Sequence, residues 1–456
     1  MGGLFSALRF SFQSLSNFST ALSVVNDNVA NANTPGYTRK RVIMEPNLPI
    51  QLLVGPLGTG ASVTRIDSTR DLFLSRRLVT ELQSLGFLQG QSAALGQIEA
   101  SLFNSQGQGV SEQITRFFDS FLDLTNDASS QVQRQAVLSE GANLAREFSG
   151  AMQRLSQLGA DNRQQINDTL ERINNLTGRI AELNKALAPL KVNGQDGGAL
   201  QDQRQLALEE LAELIDLQSF ENENGTINVT TPRGLPLVLS AESNPLTANP
   251  TASGVEVRLA GQDITSNIQG GQLGGLLRLD RQIIPSFIDD LNALAEELAL
   301  QVNALHATGE DLNGAAGQPF FTFTPGSAAS SLTVNISDPA EVAAGAPGTG
   351  PGDASLAQQL SDLRDQTFAS LGDHTLNGFY SNVVFRAGLE SRNVREGLVT
   401  QGSIVQEVRR QRDSVTGVSL DEEAIMLIQF QRSYEANARV IRVIDELLQE
   451  TMNLVR

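Results

Sequence analysis

Residues 4–36 read Leu4-Phe-Ser-Ala-Leu8-Arg-Phe-Ser11-Phe-Gln-Ser-Leu15-Ser-Asn-Phe18-Ser-Thr-Ala-Leu22-Ser-Val-Val25-Asn-Asp-Asn-Val29-Ala-Asn-Ala32-Asn-Thr-Pro-Gly36. Leu8, Leu15, Leu22 and Val29 lie seven apart, and Leu4, Ser11, Phe18, Val25 and Ala32 form a second series of the same period. Offsets of three and four between two such series mark the seam of a coiled coil. Asn33-Thr34-Pro35-Gly36 then ends the helix, because Pro disfavours the helical conformation in the residue before it. The other end of the chain mirrors this pattern. Leu420, Leu427, Tyr434, Ile441, Leu448 and Val455 are again seven apart, with Phe430 and Ile444 beside them. Residues 1–41 carry Arg9, Arg39, Lys40 and Arg41 against Asp27, whereas residues 420–456 carry seven acids against four Arg. The spacing therefore predicts two terminal helices that pair and nest everything between them.

Working inward, a β-prone, turn-rich stretch runs from Arg41 to Ile66, and helical patterning returns near Asp71. From about Val110 to Leu190 the chain is polar and helical. Ile166, Ile173, Ile180 and Leu187 form one seven-residue series there, and Thr169, Leu176, Leu183 and Leu190 its companion. That pattern reads as a solvated helix packed along one stripe. Residues 191–198 read as a loop and Ala199 to Leu214 as a short helix. Alternating β-branched runs with Asn224-Gly225 and Pro232-Arg-Gly234 turns follow, and they predict a small antiparallel β unit. Helix resumes from Leu276 to Leu305, a loop-rich segment around 322–352 holds short strands, and helices fill the remainder. The fold class expected is mainly α with a β-rich insert. Its parts are a terminal coiled-coil domain (1–41 and 416–456), a mainly helical middle domain (42–217 and 271–415) and a β-rich outer domain (218–270).

Composition narrows the function. The 456 residues carry 33 Lys and Arg against 51 Asp and Glu, a formal charge of −18. So acidic a chain argues against nucleic-acid binding, which needs clustered cations on phosphate. Cys and Trp are absent and only two His occur, His306 and His374, leaving little for a metal centre or a nucleophile. No cofactor is expected. No apolar run reaches the ~18 residues of a membrane span, and the N-terminus lacks the basic and apolar segments of a cleaved signal. Gly345-Ala-Pro-Gly-Thr-Gly-Pro-Gly352 lacks the Lys and Ser/Thr of a phosphate loop and reads as a surface loop. Glu310-Asp-Leu-Asn-Gly314 reads as a turn, and His306, at a helix end, as a capping or surface residue.

Asn28-Val-Ala-Asn31-Ala-Asn33-Thr34-Pro35-Gly36-Tyr37-Thr-Arg39 resembles the N-terminal signature of bacterial flagellar rod, hook and hook-associated proteins. Val418-Ser-Leu-Asp-Glu-Glu423, with Leu427, Gln431, Tyr434, Ala436, Ala438 and Arg439-Val440, is similar to the matching C-terminal signature. Within that superfamily the length and the Thr-Pro-Gly-Tyr-Thr-Arg variant resemble the hook-associated protein 1 family. Gly271-Gln-Leu-Gly-Gly-Leu276, Asn303-Ala-Leu-His306 and Asp338-Pro-Ala-Glu-Val342 agree. The resemblance implies an exported, extracellular structural subunit, not an enzyme, that joins hook to filament as a ring. Implied partners are further copies of itself, the hook protein, a second junction protein and a flagellar export chaperone; membrane insertion is not implied. Relatives can carry larger outer domains than the modest β insert here. The remaining alternatives are another flagellar axial protein or a secreted coiled-coil effector or adhesin. The assembly seam expected is Leu4, Leu8, Leu15, Phe18, Leu22, Val25 and Val29 with Leu420, Leu427, Tyr434, Ile441, Leu448 and Val455. A helix pair this thin is expected to be completed by neighbouring copies.

Overall fold

The two end helices lie against each other. The computed structural model describes residues 2–52, 55–102, 109–192, 195 and 197–454. Helix α1 (Gly2–Ala30) packs along α11 (Leu420–Leu454) as a two-helix rod. Strands β1 (Lys40–Pro46), β2 (Ile50–Leu52), β3 (Gly55–Leu57) and β4 (Ala61–Ser68) form an antiparallel arm, β1 on β4 and β2 on β3. Asn17 fastens the arm to the rod, donating to the Ala61 carbonyl (2.6 Å) and accepting from the Val63 amide.

The body is a helical bundle of α2 (Leu72–Leu102), α3 (Val110–Leu124), α4 (Gln131–Val192) and α5 (Gly198–Leu214), closed by four later helices. These are α6 (Gly271–Arg278), α7 (Ile284–His306), α9 (Ser355–Asp362) and α10 (Leu376–Thr416); α8 (Ala328–Ser331) is a single turn. Packing of α2 on α5 and α6 is close enough to require glycine. A Cβ on Gly86 would lie 1.9 Å from the Glu213 carbonyl oxygen. The predicted helix over 276–305 is interrupted by a π-helical turn, Leu279–Ile283, which carries Asp280 inward. Asp280 there accepts from Arg163 (2.8 Å) and from the Val255 amide (2.6 Å), tying α4, α6 and the outer strands together.

Residues 218–263 form two small sheets. One has the order β5 (Gln218–Glu221), β6 (Ile227–Thr230), β7 (Pro236–Leu239), β8 (Glu242–Ser243). The other has β9 (Leu246–Thr251), β10 (Gly254–Leu259) and β11 (Gln262–Asp263). Both hang on the far half of α4, a helix of 62 residues and ~93 Å at about 1.5 Å per residue. Asn174 donates to the Leu246 carbonyl and accepts from its amide, as a strand neighbour would. Asn184 does the same at Ile227. These inward Asn side chains are the departure from a solvated helix with one apolar stripe. The stripe itself is where the period puts it: Ile166, Ile173, Ile180 and Leu187 are all buried.

His306 corrects the sequence reading. It is fully buried, edge-on to Phe320. Its Nε2 accepts from the Ala343 amide (2.8 Å) while Nδ1 meets the Gln318 carbonyl oxygen. Burial pushes the imidazole down to about 4. β12 (Phe321–Thr322) and β13 (Thr333–Val334) pair beside it. Residues 310–314 are a turn, as expected, in which the Asp311 carboxylate accepts from the Asn313 and Ala315 amides. Of the expected loop at 191–198, residues 193, 194 and 196 lie outside the described residues.

Candidate assembly site

The site is the rod and the joint at its base. Within the chain, Ala21, Val24, Val25 and Asn28 of α1 are buried, and Leu4, Leu8, Leu15, Phe18 and Leu22 are half-buried along the same helix. On α11, Leu427, Tyr434, Ile441 and Leu448 are half-buried, and so is Phe430, with Ile444 buried among them. Phe18 and Phe430 meet with ring centroids 6.3 Å apart. The α11 stripe that faces α1 thus has two series, 427-434-441-448 and 423-430-437-444, offset by three and four.

Two seam positions fall outside this contact: Val29 is 42% exposed and Leu420 54% exposed. The reason is local. At the base of the rod the pairing surface turns toward Asn28 and Glu423, and these polar residues, not Val29 and Leu420, fill the space between the helices. Val455 lies outside the described residues.

A polar joint takes over there. Asn28 donates from Nδ2 to the Lys40 carbonyl (2.9 Å) and to Glu423 (3.1 Å), and its Oδ1 accepts from the Lys40 amide. Arg39 donates from Nε to Glu423 (2.7 Å) and from Nη1 to Glu422. Both acids stand in the first turn of α11, where the helix dipole also favours negative charge. Thr38 donates from its amide and hydroxyl to Asp202 on α5, and Arg70 donates to the same carboxylate (2.7 Å). The Arg39 amide donates to the Thr416 carbonyl at the end of α10. Three consecutive residues, Thr38 to Lys40, therefore join α1, α11, α10 and the body.

The signature residues shape the turn that delivers them. Asn31 donates from Nδ2 to Asp27, and Thr34 donates from its hydroxyl to Asn31. Gly36 has φ +77°, a conformation that costs a Cβ-bearing residue about 1–2 kcal/mol. Asn33 and Pro35 are exposed on the outside of the turn. Tyr37 places its hydroxyl between Asn28 (2.9 Å) and Asp27 (3.2 Å). Burial, and then the Asp27 carboxylate, hold that phenol far above its usual range. Lys40 pairs with Asp27 (2.8 Å) and keeps its carboxyl below the usual range. Asp202 and Arg70 lie outside both signatures, and Glu423 stands in the C-terminal one with nothing in its spacing to mark it as the partner of Arg39. Only their partners' clustering in one signature pointed toward them.

Comparisons with known proteins fit this architecture. Residues 95–321 match the family described as flagellar hook-associated protein FlgK helical domain. Residues 8–38 match the flagella basal body rod protein family, and residues 411–454 the flagellar basal body rod FlgEFG protein C-terminal family. The chain belongs to the flagellar hook-associated protein 1 family. A relative named flagellar hook-associated protein 1 from Bacillus subtilis is 26% identical, over 99% of this chain and 99% of its own. One of the same name from Escherichia coli is 24% identical over 95% and 97%. A solved structure, the flagellar hook junction protein FlgK from Burkholderia pseudomallei, shares the fold with a TM-score of 0.68 at 18% identity. It covers 75% of this chain and 100% of that one. The rod-family matches take in α1 from Leu8 on through the turn to Thr38, and the last turn of α10 with the whole of α11, so both helices of the rod fall within them.

Proposed function

We propose that this chain is a structural subunit of the bacterial flagellum, exported to the cell exterior, that forms the junction between hook and filament. Its work is mechanical, and no catalytic role is assigned to it. One observation carries the reading: the paired terminal helices and their joint are built from both family signatures, in a chain whose relatives match it from end to end. Self-assembly proceeds through the rod, where Leu4, Leu8, Leu15, Phe18, Leu22 and Val25 and their α11 partners supply the seam, and Val29 and Leu420 face neighbouring copies. Hook protein, a second junction protein and an export chaperone are the further partners of this reading. Deleting the gene tests it: cells should carry hooks without filaments and shed filament protein into the medium. Normal filaments on such cells would refute it.

A further inference from the structure

The sequence of residues 46–60, within which strands β2 and β3 lie, holds no charged residue, in a chain that is 18% charged. Leu48 is 90% exposed, and Ile50 and Leu57 are each about half exposed. Strands β2 and β3, three residues each, are too short to bury them. An apolar tip held out in water marks a contact surface.

Its reach limits what it can meet. The arm is pinned to α1 at Asn28 by its root and at Asn17 by Ala61 and Val63, so it runs toward the N-terminal half of that helix. Met44, the register partner of Val63, is eight residues from Leu52, about 26 Å at ~3.3 Å per residue. The helix from Asn17 back to Gly2 spans about 22 Å at ~1.5 Å per residue. Arm and helix thus cover the same height. On that half of α1, Phe5 and Phe12 stand exposed seven residues apart. With Leu8, Arg9, Gln13 and Ser16 they line a shallow groove of 450 Å³. Arg9 is its one charge.

We propose that the arm tip of one copy seats on the Phe5–Phe12 face of a second copy. The inference rests on the self-assembly proposed above and names the surfaces that carry it. Tip and groove match in height, in apolar character and in near-absence of charge, and the groove is continuous with the rod seam. They are different patches, so the contact is head-to-tail. Repeated, it closes a ring or winds a helix, where a self-complementary patch would stop at a dimer.

Because the chain has no Cys, a disulfide between two single-Cys variants reports the contact directly. Pro49→Cys on the tip and Arg9→Cys in the groove stand within about 5 Å of each other in height and leave Leu48, Ile50, Phe5 and Phe12 in place. Flagella are isolated from cells making both variants, oxidised, and blotted without reductant. A linked dimer that needs both variants supports the proposal. Flagella that contain the chain but give no such band, or only a band that either variant produces alone, overturn it while leaving the junction role standing. Absence of the chain from flagella refutes the junction role, and this inference with it. Separately, Leu48→Asp with Ile50→Asp should leave the melting curve unchanged and lower incorporation at least tenfold. Incorporation at the wild-type level would overturn the proposal.

Discussion

In the body, Phe117 touches the rings of Phe118, Phe121, Phe320 and Phe321 at centroid distances of 5.3–5.5 Å, and all five are fully buried. In the rod, Phe5 and Phe12 stand in solvent, and so do Ile425, Val440, Val443 and Leu447 on the outer side of α11. The same residue types are used in both places. A bundle of several helices surrounds each aromatic side chain, whereas two helices can cover only the strip between them. The body is complete as a monomer, whereas the rod leaves apolar surface uncovered and, on the function proposed above, is half of an interface. Damage to the body should therefore appear as lost stability of the isolated chain, and damage to the rod as lost assembly.

The largest effect expected is in the body. Gly86→Val forces a side chain into the Glu213 carbonyl and should cost about 5 kcal/mol, or prevent folding, as read by chemical denaturation. At the joint, Arg39→Ala strands the buried Glu423 carboxylate, and such losses run to about 4 kcal/mol. That cost falls on local opening. Proteolysis between residues 33 and 41 should rise roughly a thousandfold while the body's melting stays put.

The third prediction concerns pH and sharpens the claim that the body stands alone. Unfolded His306 titrates near 6.5 but folded near 4, so acidification through that window favours unfolding by about 3 kcal/mol. Asp216 works in the opposite sense. Burial raises its carboxyl from 3.8 to about 6, so raising the pH through that window favours unfolding by a similar amount, about 3 kcal/mol. The two offset each other, and the wild-type melting temperature should be nearly flat from these groups between pH 4 and 6. Asp216→Asn removes one side of the balance and should make the body acid-labile over that range. A flat profile in that variant would contradict the burial of His306.

The smallest effect on stability is expected in the rod. Leu22→Asp or Ile441→Asp should shift body melting by less than about 0.5 kcal/mol, yet abolish incorporation into flagella, because a seam charge has no partner. Unaltered assembly by either variant would break the contrast between the two regions.

Periodicity made the rod legible: Leu8, Leu15 and Leu22 are seven apart because a helix facing one partner must repeat that way. The same logic located the α4 stripe at Ile166, Ile173 and Ile180. The joint was only half legible. Thr38 to Lys40 sit within a recognisable signature, but Asp202 lies far along the chain and has no periodicity of its own. His306 was misread because a helix-terminal His in sequence shows nothing of the Phe320–Ala343 segment that folds over it. The π-helical turn at 279–283 was invisible for a related reason, since it is selected by what Asp280 reaches and not by local propensity.

The outer sheets are held on α4 by Asn174 and Asn184 and by buried Val229, Val238, Leu246 and Val257, and the turn at 232–234 is exposed. A foreign peptide spliced into that turn would disturb neither the bundle nor the rod. The outer unit is thus a natural place for an epitope or fluorophore, carried on each subunit as a marker of where it has been built in.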